Sequence, residues 1–203
     1  MNPDISFSFD DAGKDKDDND NARLANLLRK YDFKNVTFYV IPFNKDIIRL
    51  LAQDFKIGSH TMTHPILRDI SSHQAKWEIE ESKKILEKIT KRKVKSFCYP
   101  RGRFNRDVKK LVENAGYREA RTTRIGCIKK PKDRLETDTS AHICPIRPEY
   151  RGTTWLKEAK KLLDRVLAGE GDYFHLWGHA YEIEKFEIWD EFEEFLQYIN
   201  KRL

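Results

Sequence analysis

Two adjacent carboxylates, Asp10 and Asp11, close an alternating apolar run, and further along two histidines, His60 and His64, stand four residues apart. A carboxylate with two imidazoles is a donor set that holds a divalent ion in metal–water hydrolases, while a second carboxylate beside the first is free to take a proton. Ile5, Phe7 and Phe9 alternate with Ser6 and Ser8, which predicts a strand over Ile5–Phe9 with one face buried, and Gly13 marks the loop that follows. The acidic pair then lies at the C-terminal edge of a strand, where α/β sheets and barrels collect catalytic side chains. His60 and His64 follow the short segment Phe55-Lys56-Ile57-Gly58. Their spacing predicts both rings on one side of a helical turn, within reach of a single ion at roughly 2 Å from each nitrogen. Asp11, His60 and His64 would then leave coordination positions open; zinc suits such a set, and cobalt or nickel is compatible with it. A histidine pair at this spacing also occurs as a surface or capping pair, and the strand-end Asp-Asp is what favours metal.

These segments resemble the first two motifs of the polysaccharide deacetylase family, the NodB-homology or carbohydrate esterase 4 group. The family pattern T-F-D-D-G stands against Ser8-Phe9-Asp10-Asp11-Ala12-Gly13, and H-[ST]-x-x-H after I-G-S stands against Ile57-Gly58-Ser59-His60-Thr61-Met62-Thr63-His64. The departures are Ser8 in place of Thr and the inserted Ala12. A third segment, from Val94 to Asn105, falls where R-x-P-[YW]-G is expected: Pro100 and Gly102 match, but Cys98 and Arg101 occupy the positions of the Arg and the aromatic residue. The resemblance implies that the Arg101 backbone N–H steadies the oxyanion and that an arginine beside Asp10 is missing. Arg121, in Ala120-Arg121-Thr122, is the candidate to supply it, the competing reading being a solvated arginine. The run from Tyr173 to Glu184 resembles the family's closing strand, L-x-x-H, and implies that His179 is the general acid; His175, among aromatic residues, reads as a core histidine. For the carboxylate and tryptophan that tune that acid, Asp138, Glu182 and Glu184, with Trp155 or Trp177, stay open.

Taken together, the resemblance implies a metal-dependent hydrolase that removes an N-acetyl or similar acyl group from an amino sugar or polysaccharide. Asp10 would be the base, and Asp11, His60 and His64 the metal ligands. Two other readings remain: hydrolysis of a non-sugar C–N bond of cyclic-amide or formamide type, and a catalytically silent carbohydrate-binding barrel, which the altered third motif would favour.

The elements needed to position these residues alternate along the chain. Strands are expected at Ile5–Phe9, Val36–Ile41, Lys56–Ser59, Val94–Cys98, Tyr117–Thr122, His142–Ile146 and Tyr173–Trp177, and helices at Asn21–Tyr31, Asp46–Gln53, Ser72–Ile89, Arg106–Ala115, Trp155–Leu167 and Ile188–Ile199. Strand–helix alternation argues for a parallel sheet. With the resemblance, the expectation is an α/β fold, a distorted (β/α)7 barrel formed as one domain over residues 1–203. The irregular stretch from Gly126 to Arg151, with its prolines, is expected to form loops at the cleft.

The net charge of +6 is spread over many helices, with no recognisable nucleic-acid module, so nucleic-acid binding is not expected. The three cysteines, Cys98, Cys127 and Cys144, suit a reducing compartment better than a disulfide framework. No leader-like or membrane-spanning apolar run is visible, which makes a cytoplasmic location the expectation.

Overall fold

The apolar face of the first strand packs outward rather than into the barrel, and this decides how the site is built. In the computed structural model, which describes residues 3–203, β1 spans Asp4–Ala12. Phe7 stacks on Phe33 at 4.9 Å and Phe9 meets Phe192 edge-on at 5.8 Å, both within the layer between sheet and helices. The alternate residues point the other way. Ser6 and Ser8 turn into the barrel interior, where their hydroxyls bond the two ring nitrogens of His175 at 2.8 and 2.7 Å. Ser8 is fully buried, so the expectation of one buried face is corrected: both faces are covered, one apolar and one polar.

Seven strands run parallel in the order β5-β4-β3-β2-β1-β7-β6. The others are β2 (Val36–Val40), β3 (Lys56–Ser59), β4 (Ser96–Cys98), β5 (Glu119–Arg121), β6 (Ala141–His142) and β7 (Tyr173–His179). No ladder joins β5 to β6, and segment 134–140 fills the space between them. Thr122 N–H donates to Thr137 O and Ser140 N–H donates to His175 O, at 2.9 and 2.8 Å. The result is a curled half-barrel, the distorted form expected from the sequence. Helices α1 (Asn19–Lys30), α2 (Lys45–Leu51), α3 (Ser72–Thr90), α4 (Arg106–Asn114), α5 (Trp155–Leu167), α6 (Ala180–Lys185) and α7 (Trp189–Asn200) accompany the sheet. Among the described residues no helix is long and apolar enough to cross a membrane.

Departures from the expected elements have local causes. β1 runs on through Asp10 and Asp11 because the chain bulges there: Phe9 pairs with Phe38 but Ala12 pairs with Val40, so one strand spends an extra residue and Asp11 takes φ 62°. Gly13, at φ 76°, follows the bulge where a Cβ would lie 2.9 Å from Ile41 O, which leaves room only for glycine. β6 shrinks to two residues, since Cys144 N–H turns back to His142 O at 2.9 Å and Pro145 has no N–H to extend the ladder. α6 was not expected from the sequence: six residues carry too little periodicity to be seen.

Candidate active site

At the C-terminal edge of the sheet a cleft of about 360 Å³ is lined by Asp10, Asp11, His60, His64, Arg101 and His179, with Lys14, Thr123, Trp177 and Tyr181 around them. Parallel strands end there together, which is why side chains distant in sequence converge. Asp10 and His179 are direct partners across β1 and β7, and Cys98 and Arg121 across β4 and β5.

His60 and His64 do not share a helical turn. Residues 60–64 form an irregular loop with Thr61 at φ 69° and His64 at φ 62°. The loop holds its shape because the buried Glu78 carboxylate of α3 accepts from Met62 N–H at 2.7 Å, Thr63 N–H at 2.9 Å and the Thr63 hydroxyl at 2.5 Å. The loop still brings the rings together, their centroids 4.6 Å apart. His60 Nδ1 lies 2.8 Å from Cys98 O; a carbonyl only accepts, so Nδ1 carries the proton and Nε2 keeps its lone pair. His60 Nε2 and His64 Nε2 each lie 3.7 Å from Asp11 Oδ1. That is too long for a hydrogen bond and near the span of two ligands each roughly 2 Å from one ion. Asp11 Oδ1 is buried without a hydrogen-bond partner among the described residues. Burial lowers both histidines, His64 to about 4, with the neighbouring His60 adding to the effect there. Neutral imidazoles and an orphaned carboxylate oxygen fit a divalent cation by their donor chemistry.

Arg121 reaches from β5 past Cys98, its neighbour on β4, to Asp10. Its guanidinium donates to Asp10 Oδ2, to Cys98 Sγ at 2.9 Å and to Thr122 O at 2.8 Å, and it lies 4.5 Å from the Trp177 ring centre. Arg121 is 1% exposed and Asp10 2%. Burial alone would raise the Asp10 carboxyl, but Arg121, with His60 and His179, holds it well below the usual carboxylate range. Oδ2 is taken by Arg121, whereas Oδ1 has no partner among the described residues and is available to accept a proton. Arg101 sits in a tight turn at φ 55°, braced by Gly102 N–H to Tyr99 O and Arg103 N–H to Pro100 O, and its own N–H lies outside those bonds.

The carboxylate beside His179 is Glu182. It lies one turn into α6 and its Oε2 accepts from His179 Nδ1 at 2.5 Å and from His142 Nε2 at 3.0 Å. Of the other acids considered, Asp138 is tied to Thr122 and Arg124, and Glu184 to Arg23 and Trp189. The aromatic wall is Trp177, on which the His142 ring lies flat at 3.7 Å, while Trp155 is buried in the core beneath Phe195. Arg147 donates to His142 Nδ1 at 3.2 Å, so His142 is neutral with its proton on Nε2, consistent with burial lowering it to about 4. Burial would raise Glu182, but the two histidine N–H groups bring it to about 2. Burial would lower His179, yet the Glu182 bond and the charges of Asp10, Glu182 and Asp11 leave it raised. Glu182 was one of three carboxylates that the sequence left open, while His142 and Glu78 were missing from the sequence-derived site. Only Glu182 had a local signal, its i+3 spacing from His179.

A pH dependence follows from that pair. Raising the pH through the elevated His179 value removes its proton, so a reaction needing that proton fails on the alkaline side. Glu182→Gln takes away the charge that raises His179. The alkaline limb of the rate profile is expected to move to lower pH, with a rate loss of about tenfold or more, read from kcat at a series of pH values.

Comparison with known proteins bears on the family and the fold. The peptidoglycan-N-acetylmuramic acid deacetylase PdaC of Bacillus subtilis is 29% identical over 91 residues, 42% of this chain and 19% of that protein. The chain spans less than half the length of the curated relatives it matches, 39% and 19%. A polysaccharide-deacetylase-like protein of Mycobacterium smegmatis superposes with TM-score 0.75 at 14% identity, covering 98% of this chain and 87% of that one. BA3943, a CE4 family pseudoenzyme of Bacillus anthracis, does so with TM-score 0.62 at 16% identity, covering 97% and 62%. At such identities the likeness concerns the fold. The Polysaccharide deacetylase family model matches residues 2–120, more than half of the sequence, and the chain therefore belongs to the polysaccharide deacetylase family.

Proposed function

We propose that this chain is a metal-dependent hydrolase that removes an N-acetyl or similar acyl group from an amino sugar. The observation that carries the reading is the buried, partnerless Asp11 Oδ1 at 3.7 Å from both His60 Nε2 and His64 Nε2. Asp11, His60 and His64 would hold the cation, zinc being the best match to two imidazoles and a carboxylate, with cobalt or nickel as substitutes. Such an ion, when bound, supplies Lewis acidity that makes water a nucleophile near neutral pH. Asp10 takes the proton of the attacking water on Oδ1, while Arg121 keeps the carboxylate ionised and aimed. The Arg101 N–H steadies the oxygen on which negative charge develops. His179, held protonated by Glu182, gives its proton to the departing amine, without which the C–N bond re-forms rather than breaks.

Incubation with N-acetylglucosamine oligomers and small cyclic imides, after metal loading, separates this reading from hydrolysis of a non-sugar bond. Mass spectrometry is expected to find the loss of one acetyl group from the sugar and free acetate in solution. Opening of the imide with the sugar untouched would overturn it.

A further inference from the structure

The cleft carries more positive charge than this chemistry uses. Asp10 is matched by Arg121 and Glu182 by His179, while Asp11 faces the two metal-set histidines. Of the arginines near the rim, Arg124 is tied to Asp138 at 2.8 Å and Arg147 to Glu149 at 2.7 Å. Lys14 and Arg101 differ. Both are exposed, both line the cleft, and neither has a carboxylate at ion-pair distance among the described residues. The acids of Lys14's own loop, Asp15, Asp17 and Asp18, do not line the cleft. Asp18 is instead engaged locally, accepting from Gly13 N–H and the Asn21 amide at 2.7 Å each. Two unmatched cations around one concave surface favour a ligand that brings anionic oxygen.

We propose that the amino sugar taken by this cleft carries a carboxylate or phosphate group near its acyl-amino centre, and that Lys14 and the Arg101 guanidinium hold that group. The acyl-amino part rests on the deacylase reading, whereas the anionic part stands on the unmatched cations of the cleft. Lys14 is a specificity residue in this scheme, remote from bond breaking.

The zinc-loaded protein is titrated calorimetrically with N-acetylglucosamine, N-acetylglucosamine 1-phosphate and N-acetylmuramic acid, with acetate release followed in parallel. At least one anionic probe is expected to bind about tenfold more tightly than the neutral sugar, an advantage that weakens as salt is added. Lys14→Met is expected to cut that advantage to about threefold or less without weakening the neutral sugar, and Lys14→Arg to retain it. The phosphate and carboxylate arms identify which anion the rim prefers. Equal binding of all three probes, or an anion advantage undiminished in Lys14→Met, overturns the proposal; the second result assigns the preference to the metal. Tight, Lys14-dependent anion binding with no acetate released upholds the anion site and removes the deacylase reading instead.

Discussion

Arg121→Met is expected to lower kcat by about a hundredfold or more and to move the acidic limb of the pH–rate profile upward. The guanidinium is the main charge holding a buried carboxylate ionised; without it, burial raises Asp10, which then protonates at higher pH and cannot accept a proton from water. Stability changes with the same sign. In the native chain the depressed Asp10 contributes stability that is present above its unfolded value, near 3.8, and is lost as the pH falls through the folded value. Removing one member of so buried a pair costs about 3–5 kcal/mol at neutral pH, because a charge is left without its partner. That deficit should shrink as the medium is acidified and Asp10 becomes neutral. Urea melts across pH, beside rate profiles, check both halves. Unchanged turnover with an unmoved acidic limb would mean that Arg121 is only a packed core residue.

The next largest effects divide the site into two groups. Asp11→Asn and His60→Ala are expected to lose bound metal and activity together, the latter also losing the brace from Nδ1 to Cys98 O. Asp10→Asn and His179→Ala are expected to keep the metal while turnover falls by about 10²–10⁴-fold. Metal content by elemental analysis separates the groups without reference to rate. A second readout is thermal: added zinc should raise Tm in the native protein, Asp10→Asn and His179→Ala, since a ligand that binds only the folded form stabilises it by mass action, but not in Asp11→Asn. If His179→Ala lost its metal, that histidine would be a ligand and not the acid. Near-normal turnover in Asp10→Asn would remove the base from the scheme.

What was readable in the sequence was what short-range chemistry determines. The alternation of Ile5, Phe7 and Phe9 marked β1, and the helices fell within about two residues of their places, because periodicity reports which face is covered. The donor types at Asp11, His60 and His64 were equally legible. Their geometry was not: the loop from residue 60 to residue 64 takes its left-handed turns from a carboxylate on α3, a tertiary contact that spacing cannot reveal. No local signal distinguishes the one arginine that turns inward among 39 basic residues, and Arg121 was a candidate only through family likeness. Glu182 went unassigned because α6 itself was missed, and His142 because it acts from a two-residue strand reached through Trp177.

Cys98 and Arg121 sit side by side on neighbouring strands, and the cation beside the Asp10 carboxylate comes from the second of them. The proposed reaction then requires a charge at one point in space, not a particular residue at one place in the motif.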